Sequence, residues 1–319
     1  MVQRVIFYWS GDVPAIGQLS IGSALARFPE AEVHLWLDMD AGYESQLPDE
    51  FDWVRKHSRF KLHFFSLEEL VLSCGFRRYE NSRDLFERAA HFVFQKFHNG
   101  KLRKKSWVRR VGPQNRLFKT FLGHHNPIYG WFRSGSVSHS IRWGGVVYRD
   151  DLFKTIVEQQ YRGQSLLCSD LDVYFAAPSN RWPFEHSFAS RWGNDPWANN
   201  SVVYLQASRD KLSSEFRSSL SRGVPAVPWH FFSEGRCADY GLRILPVELF
   251  DPGWTSTSVS RGRPDLFFSA TELSRAFVAE IESGNLAVHW HNQWSKKPEL
   301  ESPFDLLMKK TREELQENL

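Results

Sequence analysis

The sequence predicts an α/β chain built on a mostly parallel sheet, and three observations predict it. Short apolar, β-rich runs recur at 5–9 (VIFYW), 32–37 (EVHLWL) and 61–65 (KLHFF), each closed by a polar or acidic turn. Between the first two, Leu19, Ile21, Leu25 and Phe28 fall at helical spacing. Strand, helix and strand at this rhythm make a βαβ unit, whose strands pair in parallel.

The elements follow in order. Run 5–9 ends at Ser10-Gly11-Asp12, the helix over 18–28 stops at Pro29, and run 32–37 ends in Asp38-Met39-Asp40. After 61–65, Ser66 stands as an N-cap with Glu69 three residues on, the spacing of a capping box. Ligands of parallel sheets sit at the carboxyl ends of strands, so loops 10–12 and 38–40 lie on the binding edge. Residues 76–142 change character: 83–97 is helically periodic, and KLRKKSWVRR (101–110) carries six basic side chains. This stretch reads as a helical, basic insertion within one domain spanning 1–319. A helix is expected over 146–161, ending near Gly163, then a buried strand SLLC at 165–168. Asn199-Asn200 reads as a polar turn before strand 201–205, with further strands at 242–245 and 286–290. The tail, 303–319, reads as a charged amphipathic helix.

Composition narrows the classes. Of 319 residues, 42% are hydrophobic and 24% charged, a globular balance, and the net charge of +3 gives no basic excess for nucleic acid. Three widely spaced cysteines, Cys74, Cys168 and Cys237, argue against a disulfide framework or a zinc site and fit a reducing compartment. The start, MVQRVIFYWSGDVP, has too short an apolar run for a signal peptide. No run reaches the roughly 18 apolar residues of a spanning helix. The expected location is cytoplasmic, with 101–110 as a peripheral contact to the inner face of a membrane or to an anionic acceptor. Thirteen Trp residues exceed ordinary core needs, and Trp182, Trp192, Trp197, Trp229 and Trp254 are candidates for a sugar-stacking platform.

The focal motif is SLLCSDLDVYF, an apolar strand running into Asp170-Leu171-Asp172. In an extended backbone, residues two apart face one side, so both carboxylates could meet one cation. Hard ions such as Mg²⁺ or Mn²⁺ take carboxylate oxygens and keep substrate phosphates as further ligands. Near the C-terminus, AVHWHNQWSKKP gathers His289, His291 and Lys297. A histidine at a strand end could complete the cation site, and a lysine beyond it could pair with phosphate.

These motifs resemble the retaining GT-A glycosyltransferases of the capsular-polysaccharide, mannosyl- and α-1,4-galactosyl-transferase type. The resemblance rests on FYWSG, the Leu35-Trp36-Leu37-Asp38 strand end, Asp151-Leu152-Phe153-Lys154, SLLCSDLD, Asn199-Asn200-Ser201-Val202-Val203 and AVHWHNQW, in the family's order over about 5–75 and 143–298. Lys154 stands where the family has Arg, Asp150 where it has Ser, and Gly163 is single where two glycines are usual.

The resemblance implies a GT-A (Rossmann-like) fold, with a mixed, mostly parallel sheet flanked by helices. It also implies a Mn²⁺ or Mg²⁺ cofactor and a nucleotide-sugar donor, with UDP-sugar favoured over GDP-sugar. The acceptor would be an oligosaccharide, a polysaccharide or a lipid-linked glycan. Asp170 and Asp172 would hold the metal, with Asp170 also near the ribose, and His289 or His291 as third ligand. Tyr8, Trp9, Ser10, Gly11 and Asp38 would border the nucleotide, and Lys297 the diphosphate. Asp151, Lys154, Asn199 and Asn200 would lie near the transferred sugar, and Asp195 is a carboxylate near the acceptor. Two other readings stand beside this one: a nucleotidyltransferase, and a non-catalytic carbohydrate-binding protein on the same fold. The first wants a basic, glycine-rich loop after the first strand, where this chain has Trp9-Ser10-Gly11-Asp12.

Overall fold

The computed structural model describes residues 2–40, 45–74, 146–191, 193, 198–221, 234–254, 258–291 and 293–317. The insertion expected at 76–142, its basic run 101–110, and Asp195 lie outside them. The chain divides into two compact units. The first comprises Met1–Ser66, Val157–Ser214 and Val227–Leu319; the second comprises Leu67–Ile156 and Glu215–Ala226.

The first unit holds a seven-stranded mixed sheet among the described residues, in the order β3-β2-β1-β4-β7-β6-β8. The strands are β1 (Arg4–Ser10), β2 (Glu32–Asp38), β3 (Phe60–Phe65), β4 (Leu166–Ser169), β6 (Ser187–Arg191), β7 (Ala198–Leu205) and β8 (Leu242–Leu245). β1 pairs in parallel with β2 and β4, β2 with β3, and β6 with β8, while β7 runs antiparallel to β4 and β6. A second, two-stranded sheet joins β5 (Val173–Phe175) antiparallel to β9 (Ala287–His289). The mixed, mostly parallel sheet expected from the sequence is therefore present. Central β1 is buried along almost its whole length, which is why it reads as an unbroken apolar run.

Helix α1 (Gln18–Arg27) buries its apolar stripe against this framework. Gly22 makes that approach close: a Cβ there would stand 2.1 Å from the Trp53 ring. The short helix α2 (Asp52–Arg55) carries that tryptophan. Helix α7 (Ser274–Gly284) and the C-terminal α8 (Pro303–Glu317) complete one core, in which Leu19, Phe277, Ile281, Trp290, Phe304 and Leu307 pack together. Each such side chain contributes about 1.5–3 kcal/mol through burial. Arg27 locks α8 to α1 with a forked contact to Glu314, at 2.5 and 3.2 Å, and donates to the Ala176 carbonyl at 2.9 Å. Helix α6 (Glu234–Asp239) precedes β8. In the second unit lies α3 (Leu67–Ser73), which begins right after Ser66. Helix α4 spans Val146–Gln160 and α5 spans Asp210–Ser221. Among the described residues, no helix is long and apolar enough to cross a membrane.

Two sequence expectations are corrected here. Asn199-Asn200 is not a turn: both residues are buried inside β7. The β6–β7 register shifts between Ala189 and Ser190, and Asn199 Oδ1 accepts the Ser201 backbone N–H at 2.9 Å, so a side-chain amide fills in at the irregularity. Trp182 is not a platform, because it is buried among Phe28, Phe175 and Phe250 and donates Nε1–H to the Ala177 carbonyl at 3.1 Å. Trp192, Trp197 and Trp229 lie outside the described residues, and Trp254 closes a 3-10 turn, Pro252–Trp254.

A half-buried imidazole pair couples β2 to β3. His34 Nδ1 and His63 Nε2 lie 2.8 Å apart, Trp36 stacks on His63, and Glu32 reaches His34 Nε2 at 3.3 Å. Burial, then the neighbouring His63, pushes the His34 pKa down to about 4. A depressed histidine pKa favours the fold only where the unfolded histidine is also neutral. Its contribution is therefore present above the unfolded value of 6.5 and lost as pH falls from 6.5 toward 4. We expect stability to drop by about 1 kcal/mol per pH unit across that window. Denaturant midpoints at pH 7 and pH 5 check it. A His34→Gln variant with the same pH slope as wild type would remove the assignment.

Candidate cation centre

Strand order reverses between β1 and β4: β2 and β3 lie to one side of β1, while β4, reached later in the chain, lies on the other. Such a switch opens a crevice at the carboxyl ends of the two strands, where open α/β sheets bind ligands. Here those ends are Ser10 and Ser169, the latter leading straight into Asp170.

Three elements hold the aspartates. The Asp170 N–H donates to the Ser201 carbonyl of β7 at 2.8 Å. Leu171 is held by α1, since the Ser20 hydroxyl donates to its carbonyl at 2.6 Å. Gly17 leaves room for its side chain, which would lie 2.8 Å from an added Cβ. The Asp172 carbonyl accepts the Trp290 N–H at 3.0 Å. Leu171-Asp172 forms a turn between β4 and β5, so the carboxylates converge through that turn and not through a continuous extended strand.

His289 arrives from β9, opposite Val173 of β5. Its Nε2 lies 3.2 Å from Asp172 Oδ1 and 3.9 Å from Asp170 Oδ2. The closer approach has ion-pair distance without hydrogen-bond alignment, and His289 Nε2 is fully buried. Donor atoms of Asp170, Asp172 and His289 all lie within 4.8 Å of one another, close enough to hold one metal ion. Burial alone would lower the His289 pKa, but Asp172 foremost, then Asp170 and Asp251, outweigh it and raise it to about 9. The carboxylates around it thus favour positive charge on the imidazole. Two carboxylates and one imidazole suit Mn²⁺ or Mg²⁺ with ligand positions left for phosphate oxygens. Asp170, with a quarter of its side chain exposed, is the outward-facing member, while Asp172 is 1% exposed.

The other expected site residues are distributed as follows. Tyr8 donates its hydroxyl to buried Asp38 at 2.8 Å, and the Asp40 N–H reaches the same carboxylate at 3.0 Å. Trp9 donates Nε1–H to the Asp12 carbonyl at 2.8 Å and meets Trp294 edge-on at 4.6 Å. Ser10 is buried at the end of β1, and Gly11 turns the chain with φ +84°, its N–H bonded to Ser45 Oγ at 3.1 Å. The backbone of Asn199–Ser201 adjoins Asp170 through the Ser201 carbonyl. Lys297 is exposed in the loop after β9. His291 lies outside the converging group and bonds Asp251 through Nε2 at 2.5 Å. Asp151 and Lys154 are buried on α4 in the second unit, where Lys154 Nζ pairs with Asp150 at 2.7 Å.

Sequence reasoning missed Asp251. It sits beside His291 on the wall of a cavity of about 360 Å³ that also takes in His289, Trp290, Phe267, Ser260 and Arg263. Its local context, Asp-Pro-Gly, signals only a turn.

Fold and site together define an α/β protein with a candidate Asp-Asp-His cation centre at the carboxyl edge of its sheet. No protein-family model matches the sequence, and no curated protein matches it. Among solved structures, the chain is similar to the apo form of glycosyltransferase GlyE from Streptococcus pneumoniae TIGR4. That match has 12% identity and a TM-score of 0.40, and covers 100% of this chain but 64% of that one. It is similar to mouse xyloside xylosyltransferase 1, with 10% identity, 91% and 97% coverage and a TM-score of 0.40. It is also similar to galactosyltransferase LgtC in complex with donor and acceptor sugar analogs, with 10% identity, 97% and 96% coverage and a TM-score of 0.35. Likenesses at this level identify neither a reaction nor a substrate for this chain.

Proposed function

We propose that this chain is a metal-dependent glycosyltransferase of the GT-A kind. It would move a sugar from a nucleoside-diphosphate sugar, UDP-sugar before GDP-sugar, to a glycan or lipid-linked saccharide. The observation that carries this reading is the convergence of Asp170, Asp172 and His289 just beyond the carboxyl end of β4, the strand that pairs in parallel with β1. A divalent cation held there would neutralise the diphosphate leaving group. The chain's own part is positioning: Asp172 and His289 are buried and Asp170 faces outward, while the diphosphate contact of exposed Lys297 rests on the resemblance. Retaining stereochemistry, the roles of Asp151, Lys154, Asp195, Asn199 and Asn200, and a cytoplasmic location with 101–110 at a membrane face rest on the resemblance and composition alone.

Thermal unfolding with Mn²⁺ plus UDP, GDP or CMP tests the proposal. A ligand that binds only the folded state raises the melting temperature by mass action. The expected result is a metal-dependent rise with one diphosphate, which would also name the donor base. No rise with any nucleotide, with or without metal, would move the assignment to a non-catalytic carbohydrate-binding protein.

A further inference from the structure

Two consecutive residues grip the ligand-bearing end of β9 from outside the candidate cation centre. The Phe250 carbonyl accepts the His289 backbone N–H at 3.0 Å. Buried Asp251 holds His291 Nε2 at 2.5 Å. His291 adopts a left-handed backbone, φ +52°, a conformation uncommon for non-glycine residues that histidine tolerates better than most. In that position its ring lies against the His289 ring, with centroids 4.1 Å apart and planes tilted by 42°. Neither Asp251 nor His291 is in the group whose donor atoms converge.

We propose that Asp251 and His291 are positioning residues for His289. Asp251 fixes the His291 ring, and that ring sets the rotation in which His289 presents Nε2 to Asp170 and Asp172. The inference rests on the cation centre of the proposed function. Metal-ligating histidines generally depend on outer partners for their orientation, and loss of such a partner weakens metal binding by about 10–100-fold. Here the brace works through ring packing, and its own anchor is the Asp251 carboxylate.

The test is titration of the full chain with Mn²⁺ alone, followed by electron paramagnetic resonance of the free ion. The proteins compared are wild type, Asp172→Ala, His291→Asn, Asp251→Ala and Asp251→Asn. Asparagine tolerates a left-handed backbone, so His291→Asn removes the ring without forcing the chain to move. Asp251→Asn keeps an oxygen that can accept from His291. The expected result is loss of binding in Asp172→Ala, with weakening by about 10-fold or more in His291→Asn and Asp251→Ala. Asp251→Asn should stay closer to wild type. A purely structural role would move the metal-free melting temperature, so that is measured alongside, and the affinity loss should exceed what any shift in melting accounts for. Unchanged Mn²⁺ affinity in His291→Asn and Asp251→Ala, with Asp172→Ala still deficient, overturns the brace and leaves the centre standing. Complete loss in His291→Asn would make His291 a ligand and also overturn it. Absence of Mn²⁺ binding by wild type overturns the centre and the brace together.

Discussion

Asp172→Ala is expected to raise the dissociation constant for Mn²⁺ by more than about 100-fold, since in the proposed centre it removes a ligand outright where loss of an outer partner costs about 10–100-fold. Sugar transfer should fall by about 10²–10³-fold, the scale seen when one preorganised electrostatic group at a reacting centre is lost. Asp172 is the deeper of the two carboxylates, and it contributes the strongest charge interaction felt by His289. With it gone, the donor set is reduced to one half-open carboxylate and one imidazole. Wild type at a Mn²⁺ concentration of a hundred times the dissociation constant gains about 2.7 kcal/mol of stability, and the variant should gain almost none. Asp172→Asn, which keeps the shape and one oxygen, should fall between them. Metal-free melting provides the control for folding. Wild-type Mn²⁺ affinity in Asp172→Ala would exclude this residue as a ligand.

The second large effect is on stability. Glu158 of α4 and Arg209, just before α5, form an ion pair at 3.2 Å with side chains 0% and 4% exposed. The pair is embedded in a network: Ser213 Oγ donates to Glu158 Oε2 at 2.7 Å. The guanidinium also donates to the carbonyls of Gln164 at 2.6 Å, Gln206 at 2.5 Å and Tyr161 at 3.2 Å. Removing one partner strands a buried charge, so Glu158→Ala or Arg209→Ala should each cost about 3–5 kcal/mol. Because the pair shares one network, Glu158→Leu with Arg209→Met should cost less than the sum of the single changes. Denaturant midpoints of the single and double variants measure this. A single-variant loss under about 1 kcal/mol would show that water or rearranged carbonyl contacts replace the network.

Much of this molecule was legible locally. The strands at 5–9, 32–37, 61–65, 165–168 and 242–245, and the helices at 18–28, 146–161 and 303–319, lie within a residue or two of the observed elements. Their signals are short-range, an apolar run or a 3.6-residue period bounded by a turn residue or Pro29, and burial of those residues enforces the same pattern. The Asp170–Asp172 pair was legible for the same reason, because a strand end and two carboxylates two residues apart sit within one window.

What the sequence left open depends on partners far away in the chain. β5 is three residues long and exists because β9 pairs with it; no window around Val173 contains that information. Asn199 and Asn200 look like a turn, but β7 runs through them: Asn199 pairs with Ser190 of β6 beyond a register shift, and its Oδ1 accepts the Ser201 N–H within β7. The two histidines near the C-terminus are equivalent by composition, and only the β5–β9 register puts His289 beside the aspartates, while Asp251 takes His291. Local propensity thus determined the elements and the two acidic residues of the candidate centre. Long-range strand pairing, which fixes side-chain positions by backbone hydrogen bonds rather than by any local preference, decided which histidine faces the carboxylates and what braces it.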